Sequence, residues 1–374
     1  MSTPLYDCAV IGGGLVGAAV AYGLAGRGLK VVMLDEGDVA FRASRGNFGL
    51  VWVQGKGLGC PQYARWSRHA SEVWADFAAE LEATGGVPVP YARTGGLLIA
   101  LEEAELAANI VTLEGLRREA GTNGYDFDVL DHAALARRLP QIGPDVAGAT
   151  YCPHDGHANP LKLLHGLHAG FRARGGTYRA GAPVADIAAR TGGGFRIQAG
   201  GETVEAGKVV LAAGLGNRKL GEAVGINIPV APSQGQLMVT ERAPPVLDIA
   251  TNLVRQTDEG SLLLGYSQED RGFDTATQSP TLRDIAWRCL RAFPFLAGLR
   301  IARAWSALRV MTADGLPIYD ASADCPGAYV VTCHSGVTLA ANHATHVAGW
   351  IADDAIPDDF ACFRAERFDV HKTA

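Results

Sequence analysis

Apolar positions in this chain fall into short unbroken runs near its start and into helical stripes further on. Cys8–Ile11 is an apolar run of strand length, Leu15–Leu24 is apolar almost throughout, and Val31–Leu34 is a second short run that ends at Asp35. Runs separated by glycine in this way predict strand, helix, strand, with the strands buried on both faces. After a glycine-rich stretch, RASRGNFGLVWVQGKGLG, which reads as a loop, the period changes. Trp66, Val73, Trp74, Phe77 and Leu81 line one broad face of a helix within residues 62–84, and the tryptophans read as core rather than as contacts to a ligand. GGLLIALEEAELAANIVTLEGLRREAG predicts a strand and a helix, and DHAALARRLPQI a short helix closed by Pro140. The next helix begins at Pro160 and ends at the Gly175-Gly176 pair. PVADIAARTGGGFRIQAGGETVEAGKVVLAAG reads as strand, hairpin, strand and a final apolar run into glycine. GQLMVTE and SLLLGYS predict strands, SPTLRDIAWRCLRAFP a helix, and GAYVVTCHSGVTLAANHATHVAGWIADD a strand, a turn and a long helix.

The first of these segments carries chemistry. Gly12-x-Gly14-x-x-Gly17 sits between the first strand and the first helix. There Gly12 permits the tight turn, Gly14 lets backbone approach a pyrophosphate, and Gly17 lets helix and strand pack closely. Leu15 and Val16 open the helix, whose unpaired N–H groups and positive dipole end favour an anion. Asp35, close to the expected spacing of about 20 residues, can accept hydrogen bonds from ribose hydroxyls, and its charge repels a 2′-phosphate. A nucleotide cofactor and redox chemistry follow, with FAD and NAD both open at this point. Ser44, Arg45, Gly46 and Asn47, in the loop expected to fold over the cofactor, are further candidates.

Composition narrows the picture modestly. At 374 residues the chain is long enough for two or three domains, and its net charge of −6, with no block of like charges, argues against nucleic acid as a partner. No apolar run is long enough to span a bilayer and no signal-peptide pattern opens the chain, so the expected compartment is the cytoplasm. Seven cysteines without CxxC spacing read as buried thiols; His154-x-x-His157 lies beside Gly156 and Pro160 in what reads as a loop, and His343-x-x-His346 has no partnering acid or cysteine, so no metal is expected.

Several segments together resemble the D-amino-acid oxidase superfamily of flavoproteins across nearly the whole chain. VVLAAG at Val209–Gly214, SALRVMTADGLPIYD at Ser306–Asp320 and HSGVTLA at His334–Ala340 match, in order, its second flavin-binding strand, its GLRPxTPDGxPxIG segment and its final flavin-contacting turn. Within it, SRGNFGLVWVQGKG and HSGVTLAANHA look most like the flavin-bearing subunits of opine oxidases and hydroxyproline dehydrogenases. The resemblance implies an α/β fold. A Rossmann-like FAD-binding domain of the glutathione-reductase-like type would comprise residues 1–86, 150–230 and 304–374, and a mixed-sheet α+β substrate domain residues 87–149 and 231–303. It also implies FAD rather than NAD, with Ala213, Gly214 and Val184 at cofactor positions. Backbone N–H groups at Ser335, Gly336, Val337 and Thr338 would stabilise negative charge arriving on the ring.

The implied reaction is oxidation of a C–N bond in a small amino acid or amine carrying a carboxylate, such as a D-amino acid, hydroxyproline or an opine. Hydride passes to the flavin and the imine hydrolyses. A glycine- or sarcosine-type oxidase using dioxygen is one alternative, and a non-catalytic FAD-binding member of a larger complex is another. Arg309 aligns with the arginine that pairs with substrate carboxylate, the competing role being an ion pair with Asp314; Val310 departs from the family's proline. His334 either orients ring or substrate or is a packed histidine, and Gln54, Lys56, Trp52 and Trp305 are weaker candidates. Ala307 stands where sarcosine oxidase has the cysteine that tethers its flavin, so FAD is expected to be non-covalent. Leu263 stands where that enzyme has a lysine thought to help dioxygen react. This leans toward a dehydrogenase with a quinone, a partner subunit or another carrier as acceptor, unless Lys56 or His334 supplies the charge from elsewhere.

Overall fold

In a computed structural model, which describes residues 5–37, 43–121 and 125–369, a parallel sheet organises the cofactor half of the chain. Strand Leu5–Ile11 lies at its centre, with Val31–Asp35 on one side and Glu202–Leu211 on the other, both parallel to it; Ile11 stands opposite Leu34 and Leu211. Thr177–Ala180 extends the sheet beyond Val31–Asp35, and Ala328–Thr332 extends it beyond Val209–Leu211, again in parallel. All five residues of Val31–Asp35 and all five of Ala328–Thr332 are buried, as apolar runs without alternation require.

Helices Leu15–Gly26, Pro61–Gly85 and Pro160–Ala173 and the helical stretch Ala340–Ala352 share one apolar cluster with one side of this sheet. The stretch passes through a π-turn at His343–Val347, so the long C-terminal helix expected from the sequence is interrupted. Trp74 is fully buried, with its indole N–H donating to the Val337 carbonyl at 3.0 Å, and Trp66 stacks on Trp350 and meets Tyr319 and Phe360 edge-on. The other side of the sheet shares a cluster with the antiparallel meander Val184–Ala189, Phe195–Ala199 and Glu202–Leu211.

Two further four-stranded sheets lie apart from the parallel one. One orders Ala250–Thr251, Gly96–Ala100, Gly148–Cys152 and Asp128–Asp131; the other orders Val254–Gln256, Ser261–Leu264, Ala231–Arg242 and Ile301–Met311. Both contribute to one apolar cluster with helix Ser279–Ala292. The last of these strands, Ile301–Met311, runs across position 303, at which the sequence reading divided the chain, and carries Arg309.

Three short strands, Leu50–Val51, Tyr91–Ala92 and Gly156–Ala158, form a small sheet of their own. His157, placed in a loop from sequence, is therefore in a strand. Among the described residues no group of His, Cys, Asp and Glu is arranged to hold a metal, and no helix is long and apolar enough to cross a membrane. All seven cysteines are free thiols, although Cys60 and Cys362 meet at an Sγ–Sγ distance of 3.7 Å.

Candidate active site

The turn after the first strand has the geometry its glycines suggest. Gly12 has φ +108°, and a Cβ there would lie 2.4 Å from the Ala212 carbonyl oxygen; one on Gly17 would lie 2.0 Å from that of Gly12. The helix that follows has Gly14 as its N-cap, with no capping side chain of its own and no acid in its first turn. Ser44 reaches across to accept a hydrogen bond from Leu15 N–H at 3.0 Å. Buried Asp35 accepts from Gly13 N–H at 2.6 Å and from Gly37 N–H at 2.9 Å, tying the end of the second strand to the turn. His168, which the sequence did not single out, braces the same turn with Nε2 2.8 Å from the Gly13 carbonyl.

Over this turn opens a cavity of about 370 Å³. Its walls include Gly12, Gly14, Leu15, Val16, Asp35, Ser44, Asn47, Val184, Ala213, Gly214, His334 and Gly336. Glu36, Ala182, Lys219, Thr332 and Cys333 join them without having been singled out from sequence. The cavity thus runs from an acid at a strand end, past an open helix N-terminus, to the tip of strand Ala328–Thr332. A dinucleotide needs that order of ribose, diphosphate and ring sites, so the residues present fit FAD. Buried Asn217 holds the Ala213 turn in shape, accepting from Ala213 N–H at 2.7 Å and donating to the Leu211 carbonyl at 3.3 Å.

Arg45, Gly46, Arg309, Ser335, Val337 and Thr338 do not line the cavity directly. Gly46 packs against Ala307, where a Cβ would come within 2.2 Å of the alanine methyl carbon. Ser335 Oγ lies 2.8 Å from Tyr63 Oη, and Val337 is buried in the core. The Thr338 hydroxyl is strapped by the glycine-rich loop, accepting from Trp52 N–H at 3.1 Å and from Lys56 Nζ at 3.1 Å.

Arg309 is half-buried beside Val310, which does line the cavity. It donates to the Gln234 carbonyl at 3.2 Å, and its guanidinium carbon lies over the Tyr266 ring, 5.7 Å from the centroid. Asp314, its possible partner in the sequence reading, pairs instead with Arg367 at 2.8 Å, and among the described residues Arg309 is in no ion pair. His334 belongs to the cavity wall; burial and the positive charges of Lys56 and Arg309 hold its pKa down, at about 3, so at neutral pH its imidazole is uncharged. Leu263 is buried and uncharged, but across the strand from it lies Arg255, whose Nε donates to the Phe48 carbonyl at 2.8 Å.

Residues 7–350 match the family described as FAD dependent oxidoreductase, DAO. The chain belongs to this family. The DAO protein is 43% identical over 366 residues to an opine oxidase subunit from Rhizobium meliloti, covering 98% of each chain. It is 44% identical over 362 residues to the corresponding opine oxidase subunit from Agrobacterium tumefaciens strain Ach5, covering 97% of each. Its fold is that of glycine oxidase from Geobacillus kaustophilus, with a TM-score of 0.90, 23% identity, and coverage of 99% of this chain and 100% of that one. This DAO protein is thus an FAD-dependent oxidoreductase.

Position 307 lacks a thiol, yet Cys333 in the cavity wall has one. Burial pushes that thiol up to about 12 against the opposing charge of Lys56, which keeps it protonated and a poor nucleophile. Heat or acid precipitation is therefore expected to release intact FAD into the supernatant. Flavin retained by the washed pellet would show a covalent bond.

Proposed function

We propose that the protein oxidises the C–N bond of an amino acid or secondary amine carrying a carboxylate, such as a D-amino acid, hydroxyproline or an opine. The observation that carries this is Arg309: a half-buried guanidinium whose charge acts on cavity-lining His334, with no carboxylate paired to it among the described residues. A desolvated cation is costly unless an anion completes it, and a guanidinium fork suits a carboxylate in particular. When bound, FAD supplies the acceptor for the hydride leaving the carbon beside nitrogen. Arg309 then holds the substrate carboxylate, neutral His334 orients the amine from the cavity wall, and the residues walling the cavity limit water at the reacting carbon.

In this reading residues 1–86, 150–230 and 304–374 hold the cofactor, and residues 87–149 and 231–303 shape the substrate side. The relatives named as subunits of opine oxidase and of hydrogen cyanide synthase support assembly with a heteromeric partner. Electrons then leave for that partner or a quinone; Leu263 itself places no cation where a lysine would stabilise superoxide, and the route holds only if no other cation, Lys56 included, acts on dioxygen there. Stopped-flow reoxidation of the substrate-reduced enzyme tests this route. An artificial quinone is expected to restore the oxidised spectrum at least tenfold faster than air-saturated buffer, and equal rates would make the protein an oxidase. Substrate class itself is tested by anaerobic loss of flavin absorbance with carboxylate-bearing amines against the same amines lacking the carboxylate.

A further inference from the structure

The glycine-rich loop does more than cover the cavity. Three of its residues converge on the hydroxyl of Thr338, at the end of the turn whose His334 and Gly336 line the cavity: Trp52 N–H and Lys56 Nζ each donate to Thr338 Oγ1 at 3.1 Å, and Thr338 donates back to the Leu50 carbonyl at 3.4 Å. The loop is anchored from behind by Asp155, a fully buried carboxylate in the turn between strands Gly148–Cys152 and Gly156–Ala158. Asp155 accepts from Val53 N–H, from Gln54 N–H at 3.3 Å and from Gln54 Nε2 at 2.7 Å, while Gln54 Oε1 accepts from Thr150 at 2.7 Å. Lys56 is in no ion pair among the described residues, and the one hydrogen-bond partner of its Nζ there is the Thr338 hydroxyl.

We propose that Lys56, carried to the flavin-facing turn by the loop that Asp155 anchors, supplies the positive charge that stabilises the reduced cofactor. This rests on the site being a flavin-dependent amine oxidation site. Reduction by hydride adds one negative charge to the ring system, and a fixed cation at its edge offsets that charge in a site partly shielded from water. The titratable groups facing Lys56 are Asp155 from the strand turn, whose carboxyl burial pushes up to about 7, and the protonated thiol of Cys333 and uncharged imidazole of His334 at the end of strand Ala328–Thr332. Burial outweighs the attraction of Asp155 and holds the Lys56 ammonium down, at about 8, so its charge is present at neutral pH and lost as pH rises.

The test is the midpoint potential of the bound flavin, measured by equilibration with a reference dye in the holoenzyme. Lys56→Met is expected to shift the reduction equilibrium about tenfold to a hundredfold toward the oxidised form at pH 7, or about 30–60 mV for two electrons. Lys56→Arg is expected to restore most of it. An unchanged potential in Lys56→Met overturns the proposal, as does an equal drop in both variants, since a purely structural role would fail in the same way with either side chain. Should Lys56→Met hold no flavin, the wild-type potential from pH 6 to 10 decides. A slope that steepens near pH 8, where reduction begins to draw a proton onto Lys56, supports the proposal, and an unbroken slope overturns it. None of these measurements uses an amine substrate, so failure of the substrate reading and failure of this inference are separately visible.

Discussion

Gly17→Ala is expected to purify with less than about a tenth of the flavin that the native chain carries. The added methyl would sit 2.0 Å from the Gly12 carbonyl oxygen, and that oxygen is backbone in the turn itself, so the helix must move away from the strand. Overpacking of this kind costs about 1–3 kcal/mol. The larger loss is at the cofactor, because the helix N–H groups are drawn back from the anion they face. Each hydrogen bond to a charged group is worth about 1.5–3 kcal/mol, or roughly tenfold to a hundredfold in binding. Gly298→Ala is the control, since nothing lies within 4 Å of a Cβ placed there. The ratio of visible flavin to protein absorbance in the purified variants measures the effect, and full flavin content in Gly17→Ala would contradict this account of the turn.

Arg309→Ala is expected to raise KM for carboxylate substrates about tenfold to over a hundredfold while leaving the flavin spectrum and content close to native. That is the size of a lost charge-assisted contact. Arg309→Lys should recover only part of the loss, because a point charge cannot reproduce the bidentate fork. Structure strengthens the expectation, since the competing carboxylate, Asp314, is taken by Arg367 and leaves the guanidinium for an external anion. Steady-state kinetics on several carboxylate substrates decide it, and an effect under about threefold on all of them would remove Arg309 from the site.

What the sequence made legible is what is local in the chain. Glycine spacing, the apolar runs on either side and Asp35 fall within thirty-odd residues and are shaped by one turn, so Gly12, Gly14, Leu15, Val16 and Asp35 all reappear in the cavity wall. The parallel strands were readable for a similar reason, because burial on both faces leaves no polar alternation. Asp155 was not readable. Its role arises when a strand turn is brought against a loop about a hundred positions earlier in the chain, and an isolated aspartate between His154 and Gly156 gives no periodic signal. Asn217 and His168 escaped for the same reason, each bracing a turn from a different element. Position 263 shows the converse: alignment reports an uncharged residue there, while the fold brings Arg255 across from it and sets Lys56 on Thr338.

The central claim is that this chain oxidises a carboxylate-bearing amine at a flavin bound in the cavity above Gly12–Gly17. Anaerobic titration of the holoenzyme with a panel of D-amino acids, hydroxyproline and opines tests it most directly. The account predicts that at least one of these bleaches the visible flavin absorbance completely, and that Arg309→Ala requires much more of the same compound to do so. If dithionite reduces the flavin while every member of the panel leaves the spectrum of the native enzyme unchanged, the site does not perform this chemistry.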